Sequence, residues 1–207
     1  MTRHAIAALA AGLSLTAAAV APALAQDTPA PAAASGAPRQ GGSMLDKAVN
    51  NIHVNSWSVY GAGQTHQIIT STVQGGHAMR VDVTAAGGNT WDVGAGSVST
   101  KPVQSGDVLL LAVWMRTERA PTGSDTGTAI IRLQGNAEPY PDVVSAPVRP
   151  TGEWKLHFAN AVADRDWAPG ALGATVQLAG ASQTIDLGPV FIFNLGRDYD
   201  RSTLPTN

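Results

Sequence analysis

Asp107-Val108-Leu109-Leu110-Leu111-Ala112-Val113-Trp114-Met115-Arg116-Thr117 is the stretch whose reading decides the fold. Leu109, Leu111, Val113 and Met115 fall on one face of an extended chain, and Leu110, Ala112, Trp114 and Arg116 on the other. A period of two is the signature of a strand whose faces meet different surroundings. The same period runs outward in both directions. Met79, Val81 and Val83 oppose Arg80 and Asp82; Ile131 and Leu133 oppose Ile130, Arg132 and Gln134. Trp154, Leu156 and Phe158 oppose Lys155 and His157, and Ala174, Val176 and Leu178 oppose Thr175 and Gln177.

Between these runs stand turn formers: Gln74-Gly75-Gly76, Gly87-Gly88-Asn89, Ser105-Gly106-Asp107, Pro121–Gly127, Pro150-Thr151-Gly152 and Pro169-Gly170. Strands are predicted near 52–59, 66–73, 78–84, 90–98, 107–117, 128–134, 142–149, 153–161, 172–179 and 184–194. Only Met44–Asn51 reads as a turn or two of helix. Short strands at this spacing predict an all-β, two-sheet antiparallel β-sandwich, and the number of runs favours a jelly roll over a seven-stranded sandwich.

The first 25 residues read as a secretory signal peptide. Arg3 and His4 form a short basic start, Ala5–Val20 is apolar, and Ala23-Leu24-Ala25 is an A-x-A cleavage box after Pro22. The apolar run is Ala-rich, broken by Ser14 and Thr16, and short of the roughly 20 residues a span needs. Residues 26–43 are rich in Ala, Pro and Gly with few large apolar residues, the composition of a disordered linker. The β-sandwich domain is then 44–207. Loss of the leader leaves 12 basic against 15 acidic residues, a formal charge of −3, with no basic patch for nucleic acid and no segment for membrane insertion. There is no cysteine, which excludes thiol catalysis, thiolate metal sites and disulfides. The expected address is periplasmic or extracellular.

Catalytic motifs are missing. Gly94-Ala95-Gly96-Ser97-Val98 has Val where a nucleophile elbow needs Gly, and neither H-E-x-x-H nor a P-loop occurs. His53, His66, His77 and His157 are scattered, and no catalytic residue is assigned. Asp164 with Asp166, and Asp198 with Asp200, are loop carboxylates of the kind that bind calcium, the one cofactor the sequence leaves open.

The outward strand faces carry aromatic, guanidinium and amide groups rather than Lys and Glu. Trp114 and Arg116 sit two apart on one run, Arg132 and Gln134 two apart on the next. If these runs pair as a hairpin, the four side chains share one face, and Gln177 joins them from a later strand. Trp91 opens a strand after a Gly-Gly turn, and Tyr140 stands between Pro139 and Pro141 on an exposed loop. Trp57, Trp154 and Trp167 read as core or loop anchors. Aromatic faces stack on pyranose C–H groups, and fixed amides and guanidinium groups bond to hydroxyls. The candidate ligand-binding set is therefore Trp114, Arg116, Arg132, Gln134, Gln177, Trp91 and Tyr140. The same residues in another use, Arg116 and Arg132 with His157, would make a lyase-like trio if three strands converged.

Asn89-Thr90-Trp91-Asp92-Val93, Gly106–Leu111 leading to Trp114-Met115-Arg116, Gly152-Glu153-Trp154-Lys155, and Gln183–Gly188 leading to Asn194-Leu195-Gly196 occur in this order over roughly residues 75–196. Together they resemble the carbohydrate-binding-module-like domains of the family 4 and 9 type, galactose-binding-like jelly rolls often attached to xylanases. The resemblance implies a two-sheet sandwich with a concave face or rim that holds a poly- or oligosaccharide, and a polysaccharide-degrading enzyme as a partner. The expectation is an exported, non-catalytic carbohydrate-binding domain. The alternatives are a small polysaccharide lyase or glycoside hydrolase using the same groove, or an envelope protein without a small ligand.

Overall fold

The computed structural model describes residues 43–207, so the expected leader and nearly all of the expected linker lie outside the described residues. Ten strands follow in order: β1 Ser58–Tyr60, β2 Gln64–Thr70, β3 His77–Val83, β4 Gly94–Val98, β5 Val108–Arg119, β6 Ala129–Gly135, β7 Asp142–Val148, β8 Lys155–Val162, β9 Leu172–Gln177 and β10 Gln183–Gly196. They form two five-stranded sheets, ordered β2-β3-β10-β5-β8 and β1-β4-β9-β6-β7, with every pairing antiparallel. This is the predicted jelly-roll sandwich. The middle of the strand predicted at 52–59 and the start of the one predicted at 90–98 are instead tightened into 3-10 turns, Val54–Ser56 and Thr90–Asp92, so that only Ser58 and Val59 of the first are strand. Residues Met44–Lys47 form one 3-10 turn, capped by the Ser43 hydroxyl.

The main core lies between the sheets. Leu109, Leu111, Val113 and Met115 of β5 meet Ile131, Leu133, Ala174 and Val176 there, with Ile185, Leu187 and Ile192 of β10. A second apolar cluster covers the outer face of the first sheet. Leu110 and Ala112 of β5 join Phe191, Phe193 and Leu195 of β10, closed by Ala48 and Leu204 from the chain's flanking segments. Over this part of their length the central strands β5 and β10 are therefore apolar on both faces.

This arrangement corrects one expectation. β5 and β6 do not pair. β5 lies between β10 and β8, and β6 between β9 and β7, in the other sheet. The connecting loop crosses the end of the sandwich instead of reversing within a sheet. It is pinned there by Gly127, whose N–H reaches both Pro150 O (2.8 Å) and Thr117 Oγ1 (2.9 Å). A Cβ at Gly127 would come within 2.5 Å of Ile185 Cδ1, so only glycine lets the loop pack this closely.

In β8 the alternation is as expected, but both faces are covered. Leu156 and Phe158 turn to the outer cluster, while Ala159 faces the main core. His157 is only 8% exposed, and its Nε2 is buried without a partner. Burial pushes its pKa below the ordinary 6.5, with a nearby Asn207 contact acting in the opposite direction. The folded state thus binds fewer protons than the unfolded chain once pH falls below about 6.5. Stability should fall from pH 7.5 to 5.5, and His157→Leu should flatten that fall in melting scans. The shifted carboxylates do not contribute in this window. Asp82, Asp92, Asp164 and Asp200 are held below their ordinary 3.8 by hydrogen bonds, so their contribution is lost only at lower pH. Equal pH slopes for wild type and His157→Leu would overturn this assignment.

Candidate ligand groove

The outer face of the second sheet follows from its register. Ser58, Gly96, Thr175 and Arg132 stand in one row across β1, β4, β9 and β6. Tyr60, Gly94, Gln177 and Ile130 form the next row, and Val98, Gly173 and Gln134 a third. Glycines at 94, 96 and 173 leave the middle of the face without side chains. The result is a groove of about 730 Å³. A glycine inside a strand marks a place where another group approaches the backbone closely. At Gly94 that group is already present: an added Cβ would sit 2.5 Å from Tyr60 Oη, so the Tyr60 ring lies across it. At Gly96 the nearest atom to an added Cβ is Ala174 O at 3.8 Å, so the floor there is open.

Three aromatic rings wall the groove, and all are exposed: Trp91 (56%), Tyr140 (47%) and Tyr60 (40%). Trp91 rides on a fixed turn. Asp92 accepts from Asn89 N–H (2.9 Å) and Asn89 Nδ2 (3.3 Å), closing a capping box. Thr90 Oγ1 donates to Gln177 Oε1 (2.7 Å), tying the turn to the floor. Tyr140 sits on the loop between β6 and β7, held by Tyr140 N–H to Ala137 O (2.7 Å) and Gly135 N–H to Pro141 O (2.8 Å). Its φ of +52° is rare for a bulky residue and turns the ring onto the rim.

The floor is polar and partly unsatisfied. Gln134 Oε1 is buried with no hydrogen-bond partner among the described residues. Such an acceptor costs stability unless something donates to it. Thr175 is buried in the neighbouring row and Gln177 in the row beyond it, and Asn136 lines the end. Arg132 Nε donates to Asp142 Oδ1 (3.2 Å). Burial raises the Tyr60 pKa above 10.0, and the Arg132 cation opposes that rise, which places the guanidinium near the phenol.

Arg132, Gln134, Gln177, Trp91 and Tyr140 of the sequence-derived set all line this groove. Trp114 and Arg116 do not. They lie on β5, on the outer face of the other sheet, because β5 and β6 belong to different sheets. Trp114 is packed against the outer apolar cluster, and its Nε1 donates to Gln74 Oε1 (3.4 Å). Arg116 is bound to Asp186 and Glu118 and lies over the Trp154 ring. The lyase-like trio also comes apart. Arg116 is on the first sheet, Arg132 is on the second, and His157 is buried in the first sheet's β8. The loop carboxylates have local partners: Asp164 binds Arg165, Asp166 accepts from Ser105 N–H (2.7 Å), and Asp200 caps the turn Arg201–Thr203.

Sequence reasoning missed Tyr60, Ser58, Thr175 and the glycine floor. The signal for the last was present in Gly94-Ala95-Gly96, two glycines on one face of a short strand.

No family model matches the sequence, and no curated protein matches it. Solved structures do. A CBM4 module superposes with a TM-score of 0.52 at 21% identity, over 68% of this chain and 95% of the module. This chain shares the two-sheet jelly-roll fold of that module. The N-terminal cellulose-binding domain of Cellulomonas fimi β-1,4-glucanase C gives a TM-score of 0.51 at 18% identity, covering 72% of this chain and 95% of that one. The CBM22-1 xylan-binding domain of Paenibacillus barcinonensis Xyn10C gives 0.50 at 13%, over 72% and 92%. Carbohydrate-binding modules of both types therefore share this two-sheet architecture. Among the described residues, no helix is long and apolar enough to cross a membrane.

Proposed function

We propose that this chain is an exported, non-catalytic carbohydrate-binding domain that holds a poly- or oligosaccharide in the groove of the second sheet. One observation carries the reading: Tyr60, Trp91 and Tyr140 stand exposed around a floor of amide, hydroxyl and guanidinium groups. Exposed rings are costly in water unless a partner covers them. A pyranose covers them with C–H groups and presents hydroxyls to the floor. A hydroxyl donating to Gln134 Oε1 would satisfy the orphan acceptor. The modules that share the fold include xylan-binding and cellulose-binding domains, which supports the same ligand class here. The leader read in Met1–Ala25 supports export. A polysaccharide-degrading enzyme is the expected partner.

Calorimetric titration with cello-, xylo- and galacto-oligosaccharides tests the reading. Trp91→Ala and Tyr140→Ala should each weaken binding about tenfold, on the order of 1–2 kcal/mol per lost stacking contact. Gly96→Leu places a side chain on an open floor and should block the groove without unfolding the sheet. Trp114→Ala should leave affinity unchanged. A wild type that binds none of these sugars, or groove variants that bind as well as it does, would overturn the site. Release of reducing ends from any bound glycan would overturn the non-catalytic reading.

A further inference from the structure

We propose that the groove selects glycans bearing carboxylate groups, and that Arg132 is the residue that reads the charge. The inference rests on the groove being a glycan site and adds the chemical class of the glycan. Among the residues lining the groove, Arg132 carries the only charge at neutral pH; the others are aromatic, amide, hydroxyl, proline, glycine and valine. The chain as a whole is acidic, with a formal charge of −2, so a cationic floor runs against its composition.

The state of the guanidinium matters more than its charge. Arg132 uses Nε for Asp142 Oδ1 at 3.2 Å, and among the described residues neither terminal nitrogen has a hydrogen-bond partner. One edge of the fork is thus held by the protein, and the end-on pair of Nη groups is left free. Two parallel N–H donors in one plane match the two oxygens of a carboxylate. Holding Nε in place reduces the rotamer freedom lost when a ligand arrives. The register places Arg132 beside Thr175 on β9 and Ser145 on β7, two rungs of the same face from Gln134. A sugar ring whose carboxylate meets Arg132 therefore has the Gln134 acceptor within its own length for a hydroxyl.

The neighbouring acids do not cancel this arrangement. Asp92 is closed onto Asn89 by its capping box. Asp142 is bound to the Nε edge, and Glu138 stands exposed on the rim loop, outside the lining. In the first sheet, by contrast, Arg80 and Arg116 converge on Asp186, and both also bind Glu118. Arg119 is likewise paired, with Asp82. Each of these three arginines spends a terminal nitrogen on a protein acceptor, whereas Arg132, among the described residues, spends neither.

The test compares hexa-uronates (galacturonate, glucuronate and mannuronate) with their methyl esters, which keep the shape and remove the charge. Wild type should bind at least one free acid about tenfold more tightly than its ester in low salt. That preference should shrink as NaCl rises from about 0.05 to about 0.5 M, as screening weakens the pair. Arg132→Gln should abolish the preference while still binding the ester, which also shows that the groove is folded. If Arg132→Gln does not fold, the salt dependence of the acid-to-ester ratio in wild type decides alone. Equal affinity for acid and ester would overturn the proposal and leave the glycan reading standing. A preference that survives in Arg132→Gln, or a sulfated galactan oligosaccharide that outbinds every uronate, would also overturn it. Binding of no glycan, acidic or neutral, would remove both readings together.

Discussion

Asp186→Ala is expected to cost about 3–5 kcal/mol of folding stability, the range for breaking a buried ion pair from one side. Asp186 has no exposed surface, yet it sits on the outer face of the first sheet. Its cross-strand neighbours are Arg80 on β3 and Arg116 on β5, so the register brings two cations onto one carboxylate. Arg80 binds it through Nε to Oδ1 (2.7 Å) and Nη2 to Oδ2 (2.9 Å), a bidentate fork. Arg116 reaches Oδ2 through Nε (2.9 Å) and Nη2 (2.8 Å). Removing the carboxylate leaves two guanidinium groups side by side, with only Glu118 between their ends. Glu118 is 40% exposed, and an exposed pair contributes about 0–1 kcal/mol, so Glu118→Ala should lose less than about 1 kcal/mol. Urea denaturation of both variants checks this. A loss for Asp186→Ala no greater than that for Glu118→Ala would mean that packing, not the ion pair, holds these three strands.

That network also explains where sequence reading stopped. The alternation of Leu109, Leu111, Val113 and Met115 and the Gly/Pro punctuation fixed ten runs and a sandwich, because period and turn chemistry are local properties. Local patterns say which way a side chain faces but not which strand lies beside it. Grouping Trp114 and Arg116 with Arg132 and Gln134 requires β5 and β6, consecutive in sequence, to pair. A long loop can equally carry the chain across to the other sheet, as it does here through Gly127. Arg116 and Arg132 are the same residue type on outward faces, yet one is bound by a buried acid and the other faces a groove. Only the partner strand tells them apart, and Asp186 lies 70 residues from Arg116. Trp91 and Tyr140 are legible because turns and prolines flag exposed positions, and Gln177 because it alternates with the apolar face of Ala174, Val176 and Leu178. Tyr60 is not, because its place depends on a glycine 34 residues away, across the β1–β4 pairing.

Leu111→Ala should cost about 2–5 kcal/mol, the sum of lost transfer energy and the cavity left behind. Leu111 is fully buried at the middle of β5, the strand between β10 and β8. Its cross-strand neighbours are Ile192 and Ala159, both in the main core, so both sides of the gap belong to fixed sheet backbone. A sheet held by pairing on both sides cannot collapse far into a void, which puts the loss toward the upper part of the range. Leu110 offers the comparison. It faces the outer cluster, whose other members include the half-buried Trp114 and Phe158, so the side chains around it have room to settle. Leu110→Ala should therefore lose less than Leu111→Ala. Denaturation midpoints with an unchanged m-value would assign both losses to the folded state. The groove lies on the far face of the opposite sheet, so Leu111→Ala should still bind oligosaccharide at temperatures where it remains folded. A loss below about 1 kcal/mol would mean that Leu111 does not face the intersheet core. Lost binding in a folded Leu111→Ala protein would mean that the groove's shape depends on the opposite sheet.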